Sequence, residues 1–278
     1  SNYLATKIKN ISVITVNKEY KKKLNKNINL ISPKSSQWKN SGIYTKYIIS
    51  IYLLIKAILK YKHILIFSFQ ANWYSILIAK LFGGKVITRS NTAPQGWSNN
   101  YFKKILYKII LNLADEIIVN SKEFKKNMLT NFGIKTKLIY NPLNLSVINK
   151  LSKKKFNYSF FKKNKSIKLI NIGRFTDQKN QILLLKAFKN VSKKFRFRLV
   201  IAGRGPNEKM LKNFVKDNKL NSKVKIINFL DNPFPLMKMS DIFILSSNFE
   251  GLPNVLLEAQ ALKLPIISSN CPTGPKEI

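Results

Sequence analysis

The chain is poor in several residue types. In 278 residues it has one cysteine, one histidine and 12 acidic residues against 50 lysines and arginines, a formal net charge of +38. A single cysteine, Cys271, excludes an internal disulfide and suits a reducing compartment. No apolar run reaches membrane-spanning length, since the longest, from Tyr47 to Leu59, is interrupted by Lys56. The start carries no signal-peptide pattern. Arginine is also scarce: Arg89, Arg174, Arg196, Arg198 and Arg204 are the whole set. Base readout and phosphate forks favour arginine, so the charge does not point to specific nucleic-acid binding. The lysines are spread along the whole chain among many Asn and Ile, as a compositional bias spreads them, and would still draw the protein towards anionic surfaces. What is abundant is apolar material, at 45%, enough for one large or two ordinary domains with proper cores.

Apolar runs of strand length alternate with helical patterns. Strands are expected at Ile11–Val16, Ile28–Ile31, Ile64–Phe69, Val86–Thr88, Ile117–Asn120 and Leu138–Tyr140. Helices are expected at Ile43–Lys60, Ala71–Phe82, Asn100–Leu113 and Ser121–Asn131, the last capped by Ser121 and stopped by Gly133. The periodicity fades between Asn141-Pro142 and Lys165. A second alternation then places strands at Ile167–Ile172, Phe197–Ala202, Val224–Phe229, Ile242–Leu245 and Ile266–Ser268, with helices between them. Such alternation implies parallel sheets covered by helices on both faces: an N-terminal domain over residues 1–145, a linker over 146–165 and a C-terminal domain over 166–278.

In open sheets of this type ligands bind beyond the carboxyl ends of the strands. After Leu245 comes Glu250-Gly251-Leu252-Pro253-Asn254-Val255-Leu256-Leu257-Glu258. Pro253 suits a first helical position, and the apolar residues that follow point in nearly every direction, as on a buried helix. The helix start near Gly251 and Leu252 favours a phosphate, Glu258 could accept from a vicinal diol such as a ribose, and Glu250 could hold the hydroxyls of a second sugar. Together these suit a nucleotide diphospho-sugar. The competing reading makes Glu250 a solvated loop charge and Glu258 a half-exposed helical one. After Ile172 comes Gly173-Arg174-Phe175-Thr176-Asp177-Gln178-Lys179-Asn180, where two cations five residues apart would neutralise a diphosphate and stabilise it as a leaving group. Gly203-Arg204-Gly205-Pro206 after Ala202 is by itself a common turn, as is Leu230-Asp231-Asn232-Pro233.

Taken together, these loops resemble the nucleotide-sugar-binding domain of the retaining GT-B glycosyltransferases, specifically glycosyltransferase family 4. The resemblance runs from about Ile167 to Ile278. It rests on the Gly-Arg-(x)4-Lys loop, Ala-Gly-x-Gly-Pro, the strand Asp241-Ile242-Phe243-Ile244-Leu245-Ser246-Ser247, and the two glutamates with seven residues between them. Ala114-Asp115-Glu116-Ile117-Ile118-Val119-Asn120-Ser121 and Ile139-Tyr140-Asn141-Pro142 match more loosely. The resemblance implies a GT-B fold of two doubly wound Rossmann-like domains facing a cleft. It implies that Arg174 and Lys179 hold the donor diphosphate and that Glu258 accepts from the ribose. Glu250 would contact the donor sugar, the backbone of Gly251, Leu252 and Pro253 would lie against sugar and phosphates, Gly203 would line the donor site, and Phe229 and Leu230 would meet the base. Glu250, Arg174 and Lys179 are the expected catalytic set, with no metal and no cofactor.

Family members usually begin with a central strand and a glycine-rich loop, and continue beyond Glu277-Ile278, so the expectation is a fragment lacking both ends. His63 lies at the wrong end of its strand for a histidine beside the transferred sugar. The polar loop Arg89-Ser90-Asn91-Thr92-Ala93-Pro94-Gln95-Gly96-Trp97 lies at a carboxyl end, and Arg89, Asn91 and Trp97 are the acceptor-side candidates. The expected activity is transfer of a hexose or N-acetylhexosamine, with UDP, GDP or ADP in the donor, to a glycan on a lipid carrier in cell-surface polysaccharide synthesis. The expected location is cytoplasmic, with peripheral contact to the anionic inner membrane face through the basic N-terminal domain and Ile43–Lys60, for which the competing reading is a buried domain helix. The alternatives are another GT-B enzyme, such as a sugar-nucleotide epimerase or sugar synthase, and a non-catalytic basic module that binds membrane or nucleic acid.

Overall fold

A computed structural model describes residues 4–35, 37–61, 64–69, 73–91, 101–162 and 165–278. Two compact units are present: Ser1–Ser90 with Asn100–Ile118, and Asn91–Asn99 with Val119–Ile278.

In the first unit, β1 (Ile11–Ile14) pairs in parallel with β2 (Ile28–Ile31). Helix α1 (Ile43–Lys60) follows, with the bounds its apolar spacing predicts, and buries Leu53, Leu54, Ala57 and Ile58 along one face. Next come β3 (Leu65–Phe69), α2 (Trp73–Leu81), β4 (Lys85–Arg89), α3 (Tyr101–Asn112) and β5 (Glu116–Val119), with β3, β4 and β5 parallel neighbours. Helix α2 stops at Gly83, whose φ of +67° is the left-handed conformation that glycine adopts without a Cβ penalty. Asp115 then ties this helix to the sheet, accepting at 2.7 Å from both Lys80 Nζ and the Val86 amide. Ahead of β1 lies a short 3-10 turn, Leu4–Thr6. Among the described residues no helix is long and apolar enough to cross a membrane.

The second unit opens with α4 (Lys122–Phe132), capped by the Ser121 hydroxyl on the Phe124 amide and closed by Gly133 at φ +64°. It continues through β6 (Lys137–Leu138), α5 (Leu145–Ser152) and α6 (Ser159–Lys162), so part of the segment expected as a linker is helical. Then follow β7 (Ile167–Ile172), α7 (Gln181–Val191), β8 (Phe197–Ala202), α8 (Glu208–Asp217), β9 (Val224–Ile227), α9 (Phe234–Lys238), β10 (Ile242–Leu245), α10 (Asn254–Ala261) and β11 (Ile266–Ser268). The sheet order is β11-β10-β7-β8-β9, all parallel. Alternate residues of β8 feed opposite cores: Leu199 and Ile201 pack with Leu185, Phe188 and Leu211, while Val200 packs with Leu236, Met237, Phe243 and Leu256. Two buried faces explain why these strands are continuous apolar runs.

The chain leaves β7 towards β8 and β9 and then crosses back to lay β10 on the other side of β7. That reversal falls between the loops after β7 and β10, and a strand-order reversal is where open sheets bind ligands. Both loops carry the expected donor residues.

Candidate functional site

The loop after β7 is fixed from both ends. Phe175 is fully buried; its N–H donates to the Arg204 carbonyl and its own carbonyl accepts from the Asn207 amide. Asn180 adopts φ +45°, ψ +45°, a left-handed conformation that asparagine tolerates, and its side chain caps α7 on the Leu183 amide. The loop after β10 is laced to it: the Asn248 amide donates to the Gln178 carbonyl, Gln178 Nε2 to the Phe249 carbonyl, and the Ser246 hydroxyl to the Lys179 carbonyl. Asn180 and Asn248 pair through their side chains at 2.8 Å.

At the centre of this lacing Lys179 Nζ meets Glu250 Oε1 at 2.5 Å, and the Ser247 hydroxyl donates to the same oxygen at 2.6 Å. The side chains are 14% and 7% exposed, so Glu250 is not the solvated loop charge of the competing reading. Arg174 is exposed, and its guanidinium donates to Gln178 Oε1 at 3.3 Å, which among the described residues leaves four of its five N–H donors for other partners. The structure therefore joins Lys179 to Glu250 directly, although 71 residues separate them, and Arg174 is linked to the same two loops through Gln178, whose Nε2 donates to the Phe249 carbonyl.

Pro253 is the cap of α10 and not its first helical residue, with ψ at 108° holding it extended. Only Leu256 and Ala259 of α10 are fully buried, so one face is covered where burial on all sides was expected. Gly251, Leu252 and Pro253 are buried. A Cβ on Gly251 would stand 2.1 Å from the Asn91 carbonyl oxygen and 3.1 Å from Asn120 Nδ2, so only glycine fits this close backbone approach. Asn91, expected on the acceptor side, thus abuts Gly251 in the loop expected to meet the donor. Arg89 ends β4 in the first unit, where burial lowers its pKa; Trp97 and His63 lie outside the described residues. Gly203 packs against the loop after β7. Phe229 is exposed beyond the end of β9, with the Arg204 guanidinium 5.1 Å from its ring centroid and Leu230 half-buried beside it in sequence.

Glu258 is half-buried, its carboxylate has no hydrogen bond or ion pair among the described residues, and burial pushes that carboxyl from an ordinary 4.5 up to about 6. The sign follows from that displacement. A folded-state pKa above the unfolded one favours the protonated form, so the deficit is absent below about pH 4 and grows as pH rises through 6. Glu258→Gln is therefore expected to raise stability by up to about 2 kcal/mol at pH 7.5 and to leave it unchanged at pH 4, as read by urea unfolding. A carboxylate kept at such a cost, on the fifth of the eight residues of α10, is a candidate for ligand contact.

Sequence reasoning missed the residues that hold these loops. Asn141 Nδ2 donates to the Leu252 carbonyl at 3.0 Å and lies 2.6 Å from Asn254 Oδ1. The Thr273 hydroxyl donates to the Glu250 carbonyl at 2.8 Å, and the Glu250 amide to the Pro272 carbonyl at 2.7 Å. The signal for Asn141 was its place in a quoted motif; Thr273 had none.

Two parallel α/β units with a loop cluster at a sheet reversal define a fold class, and solved structures share it. Anabaena HepE, solved in complex with UDP, is 15% identical with a TM-score of 0.65 over 90% of this chain and 68% of that one. The fold is that of the GT-B glycosyltransferases. Residues 2–147 match the family described as Glycosyltransferase Family 4, and residues 152–278 that described as Glycosyl transferases group 1. The chain belongs to glycosyltransferase family 4. An uncharacterized glycosyltransferase of Methanocaldococcus jannaschii is 32% identical over 82% of this chain and 60% of its own length. The N-acetylgalactosamine-N,N'-diacetylbacillosaminyl-diphospho-undecaprenol 4-alpha-N-acetylgalactosaminyltransferase of Campylobacter jejuni is 30% identical over 74% of this chain and 57% of its own length. The chain thus spans somewhat more than half the length of these two relatives.

Proposed function

We propose that the protein is a glycosyltransferase that moves a hexose or N-acetylhexosamine, with retention, from a nucleotide diphosphate sugar to a lipid-linked glycan. The observation that carries this reading is the cluster at the sheet reversal: buried Glu250 bonded to Lys179, with Arg174 exposed one loop turn away. In this reading Arg174 and Lys179 neutralise the diphosphate as its bond to the anomeric carbon breaks, and the electron pair leaves with the phosphate oxygen. The new bond to the acceptor oxygen forms on the same face of the sugar, and the acceptor hydroxyl gives its proton to the departing phosphate oxygen. Glu250 orients the sugar hydroxyls, Glu258 accepts from the ribose, and the Arg204–Phe229 pair offers a flat face to the base. Charge neutralisation by these cations and the start of α10 leaves no step that requires a metal.

The names of relatives support the substrates without fixing them: HepE was solved with UDP, and the Campylobacter enzyme is named for a diphospho-undecaprenol acceptor. An anionic membrane face as the working location is supported by α1, where Ile43, Tyr44, Ile48 and Tyr52 are exposed beside Lys46 and Lys56.

The test is calorimetric titration with UDP and GDP at moderate salt. Saturable binding that prefers one nucleotide, weakened at least about tenfold by Arg174→Ala and by Glu258→Gln, supports the donor site. Binding that ignores the base, falls steeply with salt and is unaffected by either substitution would mean that lysine charge alone holds the ligand, and the donor-site reading fails.

A further inference from the structure

The carboxylate of Glu277 lies at the start of α4. Its Oε2 accepts from the Lys122 amide at 2.9 Å and its Oε1 from the Glu123 amide at 2.8 Å, while the Tyr140 hydroxyl lies 3.3 Å from Oε2. These are the helix's first two N–H groups, which have no intrahelical partner; the Ser121 hydroxyl takes the next, on Phe124. A helix start is therefore capped by a carboxylate 154 residues away in sequence.

The same short segment grips the donor loop at its other end. Thr273 donates from its hydroxyl and its amide to the Glu250 carbonyl, at 2.8 and 3.2 Å. Gly274, at φ +78°, approaches so closely that a Cβ there would stand 1.6 Å from the Gly251 carbonyl oxygen. Just past Glu277, the Ile278 carbonyl accepts from the Gln260 side chain of α10 at 2.7 Å. Residues 272–278 form a strap that runs from the backbone of Glu250 and Gly251 to the start of α4 and is tied to α10 at its far end.

We infer that Glu277 is a positioning residue for the donor loop: by capping α4 it anchors the strap that holds Glu250 and Gly251 in place. The inference rests on the donor-site reading for its functional consequence and on geometry alone for the strap. A buried carboxylate one bond from Lys179 keeps its alignment only while its backbone is fixed, and Thr273 with Pro272 supplies three of the hydrogen bonds that fix it. The Glu277 carboxylate is well matched to the task, since negative charge is favoured at a helix start and charge-assisted bonds to N–H groups are the stronger kind.

The experiment compares the wild-type chain with Glu277→Ala, Glu277→Gln and Tyr140→Phe. Amide hydrogen exchange over residues 249–256 is read beside α7 as an internal control, at a temperature where every variant is folded. Exchange over 249–256 is expected to quicken about tenfold in Glu277→Ala, with α7 unchanged and with Glu277→Gln intermediate because its amide oxygen can still serve one N–H. Nucleotide affinity should fall about fivefold in the same order, following the lost loop order. Faster exchange confined to the start of α4, with 249–256 unchanged, overturns the strap whether or not nucleotide binds. Faster exchange over 249–256 with undiminished nucleotide affinity overturns the positioning role. Absence of nucleotide binding in the wild type counts against the donor site, and the exchange pattern then decides the strap by itself.

Discussion

Lys179→Met is expected to destabilise the second unit by about 3–5 kcal/mol, the range for breaking a buried ion pair by removing one partner. The physical reason is the fate of Glu250. Its carboxylate is 7% exposed and has two side-chain partners on one oxygen, the ammonium at 2.5 Å and the Ser247 hydroxyl at 2.6 Å. Methionine fills the volume of the lysine stem, so packing is largely kept and the loss isolates the charge. One hydroxyl cannot compensate a desolvated carboxylate. An exposed pair would change stability by no more than about 1 kcal/mol, so the size of the effect separates the buried geometry from a surface one. The double variant Lys179→Met with Glu250→Gln removes the stranded charge and should recover more than half of the loss. Urea unfolding of the four proteins in the cycle gives the coupling directly. A cost below about 1 kcal/mol for Lys179→Met, or no recovery in the double variant, would show that this pair does not hold the two loops together.

That pair also shows how far the sequence could be read. Lys179 and Glu250 were each expected at a strand's carboxyl end, because the alternation of strand and helix puts both loops on one side of a parallel sheet. Their direct contact was not legible, since strand order decides which loops are neighbours and no local pattern encodes that β10 lies beside β7. The caps of α4 at Ser121 and Gly133 were readable because both ends use local chemistry, a hydroxyl three residues from its amide and a glycine at positive φ. The Glu277 cap on the same helix was not, because its partner is remote. Pro253 was expected inside α10, and its extended ψ places it just outside. The fixed φ of proline suits both positions, so the residue type could not choose between them. The burial expected all round α10 failed for a related reason: apolar residues at every angle permit burial on all sides, but neighbours close fully over only the side that carries Leu256 and Ala259.

A second large effect is expected at Gly203, where alanine should cost about 3 kcal/mol or more, at the upper end for overpacking. The strands β7 and β8 are in register with Ile172 beside Ala202, so Gly173 and Gly203 continue side by side past the last paired residues. An added Cβ on Gly203 would lie 1.9 Å from the Gly173 carbonyl oxygen, 3.0 Å from its carbon and 2.8 Å from the Phe175 ring. None of these can yield cheaply. Gly173 donates its N–H to the Ala202 carbonyl, and Phe175 is fully buried with both backbone polar groups bonded. The two loops must separate, which presses Arg174 and Lys179 against the Glu250 loop on the other side of β7, disturbs the Lys179–Glu250 contact and should weaken nucleotide binding together with stability. Gly173→Ala is the control on the facing loop. Its Cβ meets only Lys179 methylene carbons at 3.5 Å and Gln181 Nε2 at 3.6 Å, ordinary contact distances, so its cost should stay below about 1 kcal/mol. Equal losses for the two alanines in urea unfolding would mean that general glycine flexibility, and not the approach of these two backbones, is what the loops require.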